Sequence, residues 1–384
     1  MLKNTSLLLF LSTLHGLAAN ISEVLVSLYI WRLADFQTLL AFKLFEVAIM
    51  PVTSFIVAWL GDRFSPKTTL QLGLALFATQ MLIIVLFQEK ILQFLPILAL
   101  ISGSSIVTRY MSLNSVFQTA IAPKSQPPFY GNMDIIFSIL RVLFPFVSGA
   151  IIWQFGYVPL FIIGLASILS AFFLIIPVKI AIQSNPFEPM KLITDWNQKS
   201  TAIFFGRLWW GVEYGFFLTL IPILVTLQLN GELGWGILTA ILSFSGVVAA
   251  LYIKNKIKMD RRISLFKMGG ILLSVAALMY STIPSFDYLL FLLILLQLWQ
   301  VMQNTIIRPM LNGLVRAQQD APIMVSEYSY LAELPFAIGC LLIYGCLWIL
   351  APAITNPVVI AILFMVISIV PVNEVRSLLS AKGT

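Results

Sequence analysis

Long apolar segments follow one another along almost the whole chain of 384 residues, and they limit the possible folds more than any other feature. Hydrophobic residues make up 60% of the sequence and charged residues only 10%, whereas soluble domains carry about 25% charged residues. A helix that crosses a bilayer needs about 20 apolar residues, so twelve crossings use about 240 residues and leave short loops. The sequence therefore predicts an all-α integral membrane protein with twelve transmembrane helices.

The apolar segments fall into two groups of six. The first six are expected at about 6–33, 36–60, 68–87, 91–117, 131–154 and 158–178, and the second six at about 200–228, 234–254, 265–284, 287–314, 325–349 and 354–373. The first segment is too long for a signal peptide, so we expect it to be retained. The longest polar break, with two X-Pro pairs and three lysines, separates the groups. We predict a six-helix bundle over 1–178, a cytoplasmic linker over 179–199 and a second bundle over 200–384.

The basic residues report orientation. The net charge is +7, but with a cytoplasmic N-terminus nearly all loop lysines and arginines lie inside, and only Arg32 and Lys90 lie outside. This pattern predicts an inner (plasma) membrane protein with both termini cytoplasmic, and it gives no reason to expect a nucleic-acid partner. The two cysteines, Cys340 and Cys346, share one apolar segment and predict neither a disulfide nor a metal site.

The two groups of six also repeat each other weakly. Matching residues recur at shifts of 190 to 199 positions, as the following pairs illustrate: Gly16 with Gly211 (211 − 16 = 195), Gly73 with Gly269 (196), Arg109 with Arg308 (199) and Pro145 with Pro335 (190). Similar shifts in corresponding helices are typical of transporters built from two six-helix halves. The prediction is a pair of pseudo-symmetric bundles.

One loop and one helix carry a resemblance to a known family. The loop Gly61-Asp62-Arg63-Phe64-Ser65-Pro66-Lys67 resembles the Asp-Arg-x-Gly-Arg-Lys loop of the major facilitator superfamily, with Ser65 and Pro66 departing from it. Pro145 and Gly149 are similar to part of the Gly-Pro-x-x-Gly-Gly pattern of that family's antiporters. The resemblance implies the twelve-helix transporter fold, with a central cavity lined by helices one, four, seven and ten. It also implies gating roles for Asp62 and Arg63, near Asp134.

Charged residues inside the predicted spans are functional candidates, because a charge at bilayer depth is costly unless it faces water, protein or a partner. They are absent from the interiors of helices three, six, eight, nine and twelve. The densest group is Arg207 to Gly215, read as Arg-Leu-Trp-Trp-Gly-Val-Glu-Tyr-Gly. Arg207 and Glu213 are about 120° apart around a helix, so they cannot form a simple intrahelical pair.

Three carboxylates are candidates for proton coupling. Glu213 shares a helix face with Trp209 and Trp210, and a carboxylate among indoles is poorly hydrated, which favours its neutral form. Glu23 lies in the corresponding helix of the first half, and Glu333 precedes Pro335. The alternative for Glu213 is a permanent ion pair with a basic residue of another helix.

Polar stripes complete the predicted site. The stripe of helix ten either lines water or joins helices, and that of helix five suits either a cavity or an interdomain contact. The only histidine, His15, is a candidate for a proton or substrate role or for packing, and Lys43 with Glu46 is expected to be a structural ion pair. The predicted substrate-binding residues are Asn20, Glu23, Arg109, Trp209, Trp210, Tyr214, Gln300, Gln303, Asn304 and Arg308, with Trp299 in the aromatic lining, and the predicted gating residues are Asp62, Arg63, Asp134, Arg141 and Pro145.

These features favour a secondary transporter and give no motif of an enzyme, a cofactor or a metal. The expected partners are a small solute, protons and the lipid bilayer, and the chain is expected to be a monomer. The preferred function is proton-coupled export of an amphipathic or aromatic compound, because aromatic side chains bind flat or cationic ligands. Two alternatives stay open: an importer of a polar or anionic metabolite held by the glutamines and by Arg109 or Arg308, and a non-transporting receptor or assembly protein with this fold.

Overall fold

The computed structural model describes residues 2–121, 125–178, 188, 190, 194, 196–229, 231–256, 259–319 and 325–368. In this part of the chain, all regular structure is helical and forms twelve rods. Nine stretches are long and apolar enough to span a membrane; one of them, residues 66–117, contains two rods, and two further rods are shorter apolar helices. Large apolar side chains such as Ile139, Trp153 and Phe244 are exposed on the outside of the bundle, as lipid contact requires.

The first half contains six rods. They are α1 (Leu2–Asn20, a π-helical turn Ile21–Leu25, and Val26–Leu33), α2 (Phe36–Ala48 and Met50–Arg63), α3 (Pro66–Phe87), α4 (Leu95–Ala120, after a 3-10 segment Gln88–Phe94), α5 (Gln126–Phe155) and α6 (Val158–Leu174). We call the end of the bundle at which α1 begins the near end, predicted to be cytoplasmic, and the opposite end the far end. α5 begins earlier than the sequence predicted, because prolines are favoured in a first helical turn.

The second half contains the other six rods. They are α7 (Gln198–Gly215, a π-helical turn Phe216–Leu220, and Ile221–Gln228), α8 (Glu232–Lys256), α9 (Met259–Thr282), α10 (Phe286–Gln319), α11 (Val325–Leu350) and α12, whose apolar helix covers Pro357–Ser368. Most of the predicted linker at 179–199 lies outside the described residues.

Side chains at the short connections start several rods. Asp35 accepts a hydrogen bond from the Thr38 amide (2.6 Å) before α2, and Ser65 accepts one from the Thr68 amide (3.2 Å) before α3. The Thr38 amide also holds the pKa of the exposed Asp35 carboxyl below its usual value. Such caps satisfy amide groups that have no partner inside the helix, so they set where a rod begins.

The repeat predicted from the sequence reappears as backbone geometry. The π-helical turns of α1 and α7 begin at Ile21 and Phe216, a shift of 195 (216 − 21), and they contact each other. Within the halves α1 packs on α5 as α7 packs on α11, and α3 packs on α4 as α9 packs on α10. Between the halves α5 packs on α8 and α2 packs on α11. The two halves thus repeat one packing scheme, and they meet around α1 and α7.

Candidate functional site

A single carboxylate, that of Glu23, connects three helices and both halves. Its Oε1 atom accepts a hydrogen bond from the Tyr110 hydroxyl of α4 (3.0 Å), and its Oε2 atom accepts one from the Tyr214 hydroxyl of α7 (2.7 Å). Glu23 is partly buried within the π-helical turn of α1, and Tyr110 is 37% exposed. Because π-helical turns occur frequently at functional sites, this tyrosine clamp is the centre of the candidate site.

Glycines place α1 and α7 against their neighbours near the clamp. A Cβ atom on Gly16 would overlap the Phe137 ring of α5, and one on Gly211 would overlap the Phe336 carbonyl oxygen of α11. At Gly211 only glycine allows such a close approach, because the neighbouring atom belongs to the backbone, whereas at Gly16 the neighbour is the edge of a side-chain ring. Near the clamp, α7 is therefore in direct backbone contact with α11.

Arg109 lies behind the clamp and is fully buried. Its Nε atom donates to the carbonyl oxygen (3.2 Å) and hydroxyl (3.1 Å) of Ser105, and its guanidinium stacks 3.7 Å over the centre of the Phe77 ring. Gly73 makes room on α3, because a Cβ atom there would lie 2.9 Å from the Arg109 backbone nitrogen. The predicted substrate ligand Arg109 is thus anchored between α3 and α4.

The remaining contact of Arg109 defines the state of His15. The Nη1 atom of Arg109 lies 2.8 Å from His15 Nε2. A guanidinium can only donate, so His15 Nε2 is the acceptor and the imidazole is neutral. His15 also packs edge-on against the Tyr110 ring at 5.7 Å. The histidine connects the buried cation to a tyrosine of the clamp and needs no charge to do so.

Glu213, the principal predicted coupling residue, lies elsewhere on α7. It is buried and accepts a hydrogen bond from Gln303 of α10. Trp210, which the sequence analysis paired with it, lies beside Arg207 and Phe336: the guanidinium is 4.7 Å from the indole centre, and the two rings are 5.8 Å apart. As the helical spacing predicted, Arg207 and Glu213 have different partners.

Arg207 and Glu333 of α11 carry opposite charges that are separated by more than salt-bridge distance, and we call this separation the gap. Both side chains are partly buried, and each feels the other's charge, but no nitrogen–oxygen pair of these two described residues is within 4.0 Å. The Arg207 Nε atom is buried and has no hydrogen-bond acceptor among the described residues. The pair is close enough to interact and too far apart to form a salt bridge.

The other predicted substrate residues are not gathered at one point. Asn20 donates to the Gly16 carbonyl oxygen (2.7 Å), and Trp209 and Gln300 are partly buried. The side chains of Asn304 and Arg308 lie outside those that the structure describes. The prediction that Trp299 belongs to the aromatic lining is wrong: it is fully buried and stacks on Phe266 of α9 at 5.3 Å. Its apolar ring is better buried between two helices than exposed to water.

The predicted gating residues occupy different parts of the bundle. Arg63 stacks over the Trp59 ring at 4.0 Å, and Asp134 and Arg141 are exposed on α5. The side chain of Asp62 lies outside the described set. Pro145 is at an inter-half contact, because a Cβ atom on Gly236 of α8 would lie 2.4 Å from its carbonyl oxygen. At Pro145, the polar stripe of helix five therefore lies at a contact between the two halves, which is one of its two predicted roles.

The far end carries a latch between the halves that the sequence analysis missed. Arg32 of α1 binds Glu232 of α8 with both nitrogens of a bidentate pair (Nε–Oε1 2.6 Å, Nη2–Oε2 3.1 Å), and the Tyr157 hydroxyl donates to the same carboxylate (3.0 Å). The hydropathy of the sequence placed both charged residues, Arg32 and Glu232, in loops. Opposite charges at the same predicted membrane face could have indicated the pair, but nothing in the sequence brings α1 next to α8.

The predicted ion pair of Lys43 and Glu46 is confirmed. The Lys43 Nζ atom lies 2.7 Å from Glu46 Oε2, both residues are buried, and Ser102 of α4 donates to the other Glu46 oxygen. This arrangement satisfies both charges locally.

Tyr110 was not predicted as a site residue. The polar stripes were built from residues three or four positions apart, and Tyr110, which directly follows Arg109, is not part of the stripe of helix four.

Comparisons with known proteins agree with this architecture. No family model matches the chain. The uncharacterized protein YqgE of Bacillus subtilis (strain 168) is 25% identical over 301 residues, which cover 74% of this chain and 68% of that protein. An uncharacterized protein of the sodM 3' region of Geobacillus stearothermophilus is 23% identical over 147 residues, which cover 38% of this chain and 69% of that protein.

Solved transporter structures share the fold over nearly the full length. The nucleoside transporter NupG superimposes with a TM-score of 0.72 at 13% identity, covering 97% of this chain and 99% of its own. The POT family transporter PepTSo gives a TM-score of 0.73 at 9% identity, covering 99% of this chain and 98% of its own. The E. coli fucose:proton symporter FucP gives 0.61 at 15% identity, with 97% and 98% coverage. The chain therefore has the fold of the major facilitator superfamily, as its loop and helix motifs predicted.

Proposed function

We propose that this protein is a secondary transporter that exports an amphipathic or aromatic solute by alternating access in exchange for protons. The tyrosine clamp on Glu23 carries the proposal, because one ionisable group bonds to both halves at their meeting point. Solved proteins that share this fold include a nucleoside transporter and a fucose:proton symporter. Alternating access by rocking of two halves around such a site is the general mechanism of this architecture.

Protonation of Glu23 can change how firmly the clamp holds the two halves together. An ionised carboxylate only accepts hydrogen bonds, so Glu23 can hold the Tyr110 and Tyr214 hydroxyls together. When one carboxyl oxygen is protonated, it becomes a hydrogen-bond donor. It then no longer accepts the hydrogen bond from its tyrosine hydroxyl. Loss of the Tyr214 bond weakens the connection between α1 and α7, that is, between the halves.

The rest of the site supports the same cycle. Buried Arg109 compensates the charge of ionised Glu23, and the neutral His15 holds Arg109 in place without a second proton site. The latch between Arg32 and Glu232 closes the far end. Arg141, exposed at the middle of α5, is compatible with water inside the bundle, because a charge at bilayer depth must face water or a partner. With the far end closed, solute would enter from the near end, as export requires.

The anion-importer alternative receives less support from this geometry. Arg109 is fully buried and engaged by Ser105, Phe77 and His15, so in this conformation it does not present its charge to a solute. Export and import remain distinguishable by the direction in which a proton gradient drives the solute. No contact among the described residues favours a receptor role over transport.

Reconstitution into vesicles tests the proposal. Purified protein is inserted into liposomes with an internal pH dye, and solutes are added on either side. We expect solute-dependent proton movement for the unchanged chain and none for Glu23→Gln, whose amide cannot exchange a proton. Glu89→Gln, at an exposed carboxylate between α3 and α4, is the matched control and is expected to behave as the unchanged chain. Equal coupling in Glu23→Gln and the unchanged chain would refute the role of Glu23.

A further inference from the structure

Two opposite charges on α7 and α11, Arg207 and Glu333, lie at the same depth and do not meet. Gly211 of α7 contacts Phe336 of α11, and Arg207 precedes Gly211 by four residues (211 − 207) while Glu333 precedes Phe336 by three (336 − 333), which places the two charges at similar depth on neighbouring helices. Neither forms a salt bridge with another described residue, although each lies within the other's field. At bilayer depth opposite charges gain free energy by pairing, so an open gap needs a reason.

The helix backbones keep the gap open. A Cβ atom on Gly211 would overlap the Phe336 carbonyl oxygen, and one on Gly339 would overlap the Leu208 carbonyl oxygen. α7 and α11 are therefore already in backbone contact and cannot move closer. Both helices belong to the same half, so rocking of the two halves does not bring Arg207 and Glu333 together either.

The groups around the gap define what could fill it. The buried Arg207 Nε atom lacks an acceptor in the part of the chain that the structure describes, and the guanidinium carbon lies 4.7 Å from the centre of the Trp210 ring. A carboxylate is the acceptor that fits the Nε and Nη donors of a guanidinium side by side. Glu333 offers a carboxylate to a cation at the other end of the gap. The rings of Trp210, Phe336 and Tyr214 form a continuous wall, with ring centres 5.8 Å and 5.2 Å apart.

We propose that Arg207 and Glu333 bind the two ends of a zwitterionic ligand that carries an aromatic or bulky apolar group. Arg207 takes the carboxylate, Glu333 takes the ammonium group, and the apolar group packs on Trp210 and Phe336. Tyr214 connects this site to the Glu23 clamp, since it contacts Phe336 and donates to Glu23. The inference rests on the proposed function in one respect only: it specifies the class of solute that the transporter carries.

A set of three probes tests the proposal on the full-length protein. L-phenylalanine carries both charges, phenylalaninamide carries only the positive charge, and N-acetylphenylalanine carries only the negative charge. Binding is measured by calorimetry on purified protein in lipid nanodiscs. We expect the zwitterion to bind about tenfold or more tightly than either analogue, because each analogue leaves one buried charge without its partner.

Two single variants assign the ends. Arg207→Gln should remove the advantage of phenylalanine over its amide and keep its advantage over the N-acetyl compound. Glu333→Gln should do the reverse. Arg261→Gln, at an exposed position of α9, is the control and should keep both advantages. Thermal unfolding of each variant shows whether it is folded.

Three results would overturn the inference. One is the absence of phenylalanine binding at millimolar concentration, and the second is equal binding of the three probes. The third is that the single variants lose all three probes while Arg207→Gln/Glu333→Gln recovers them, as expected of a structural ion pair. The vesicle assay is independent: solute-dependent proton movement that Glu23→Gln abolishes would uphold the transporter even if the zwitterion preference fails.

Discussion

At the scale of single residues, the Glu23 clamp is the part of this protein that depends most on hydrogen-bond chemistry. Its two tyrosines differ in one respect. Tyr110 belongs to the same half as Glu23, whereas Tyr214 belongs to the other half. Removing each hydroxyl in turn therefore tests the hydrogen bond within one half and the hydrogen bond between the halves separately.

Tyr214→Phe and Tyr110→Phe form a matched pair. A hydrogen bond to a charged group contributes about 1.5–3 kcal/mol, or roughly a factor of ten to one hundred in an equilibrium. We expect Tyr214→Phe to shift the balance between far-end-closed and far-end-open molecules by about that factor, and Tyr110→Phe to shift it much less. Distances between spin labels on the two halves measure the balance. An equal shift in both variants would contradict the assignment of Tyr214 as the connecting bond.

His15 provides a second prediction at this scale. In the structure it is a neutral acceptor for Arg109, so its loss should cost stability rather than coupling. Without an acceptor for a buried guanidinium nitrogen, His15→Ala should be destabilised by about 1–3 kcal/mol, while His15→Gln keeps an acceptor and most of that stability. Thermal unfolding gives the first comparison and the vesicle pH assay the second. Loss of proton coupling in a folded His15→Gln protein would contradict this prediction and show that His15 carries protons.

At the scale of helices, close backbone contacts fix how the rods cross. Gly339 and Gly345 on α11 show the contrast. A Cβ atom on Gly339 would lie 1.9 Å from the Leu208 carbonyl oxygen of α7, whereas one on Gly345 would meet nothing within 4 Å. The first glycine is required by packing and the second is not.

The same substitution at the two glycines should therefore have opposite effects. Gly339→Ala must push α7 and α11 apart, and overpacking of this kind costs about 1–3 kcal/mol or more. Gly345→Ala should be neutral or stabilising by about 0.5–1 kcal/mol, because alanine favours a helix. Thermal unfolding and the yield of monodisperse protein in detergent measure both. If Gly339→Ala is as stable as the unchanged protein, the α7–α11 contact is looser than the structure places it.

At the scale of the whole molecule, the far-end latch joins the two halves at one end of the bundle. Its carboxylate receives a bidentate arginine from α1 and a tyrosine hydroxyl from the connection before α6, beside the contact of Gly149 and Gly236 between α5 and α8. These contacts join the halves at the far end, and we infer that this end is closed in the described conformation.

Arg32→Gln should favour opening of that end. Spin labels at Lys90→Cys and Asp287→Cys, both exposed far-end positions in different halves, report the separation after Cys340 and Cys346 are replaced by alanine. We expect a larger share of long distances in Arg32→Gln and Glu232→Gln. The ion pair is half exposed on the arginine side, so the shift should shrink as salt concentration rises. Glu89→Gln serves as the control, and an unchanged distance distribution in both latch variants would argue against the latch.

The sequence by itself determined the properties that follow from local composition. Apolar length predicted the rods, because backbone groups in lipid must bond within their own helix, and the weak repeat predicted two similar halves, whose matching π-helical turns in α1 and α7 only the structure showed. The choice of Glu23 and Arg109 as candidates came from the cost of charged groups in the membrane, and that of Tyr214 from the expected aromatic lining.

The tertiary structure decided the partners. Glu23 meets two tyrosines, Arg109 meets His15, and Trp299 packs against α9 instead of the predicted lining. The Arg32–Glu232 latch joins residues 200 positions apart. Such contacts depend on how rods cross, which is set by a few glycine-sized gaps and by the pairing of whole halves. Helical periodicity determines on which side of a helix a side chain lies. It does not determine which other helix packs against that side.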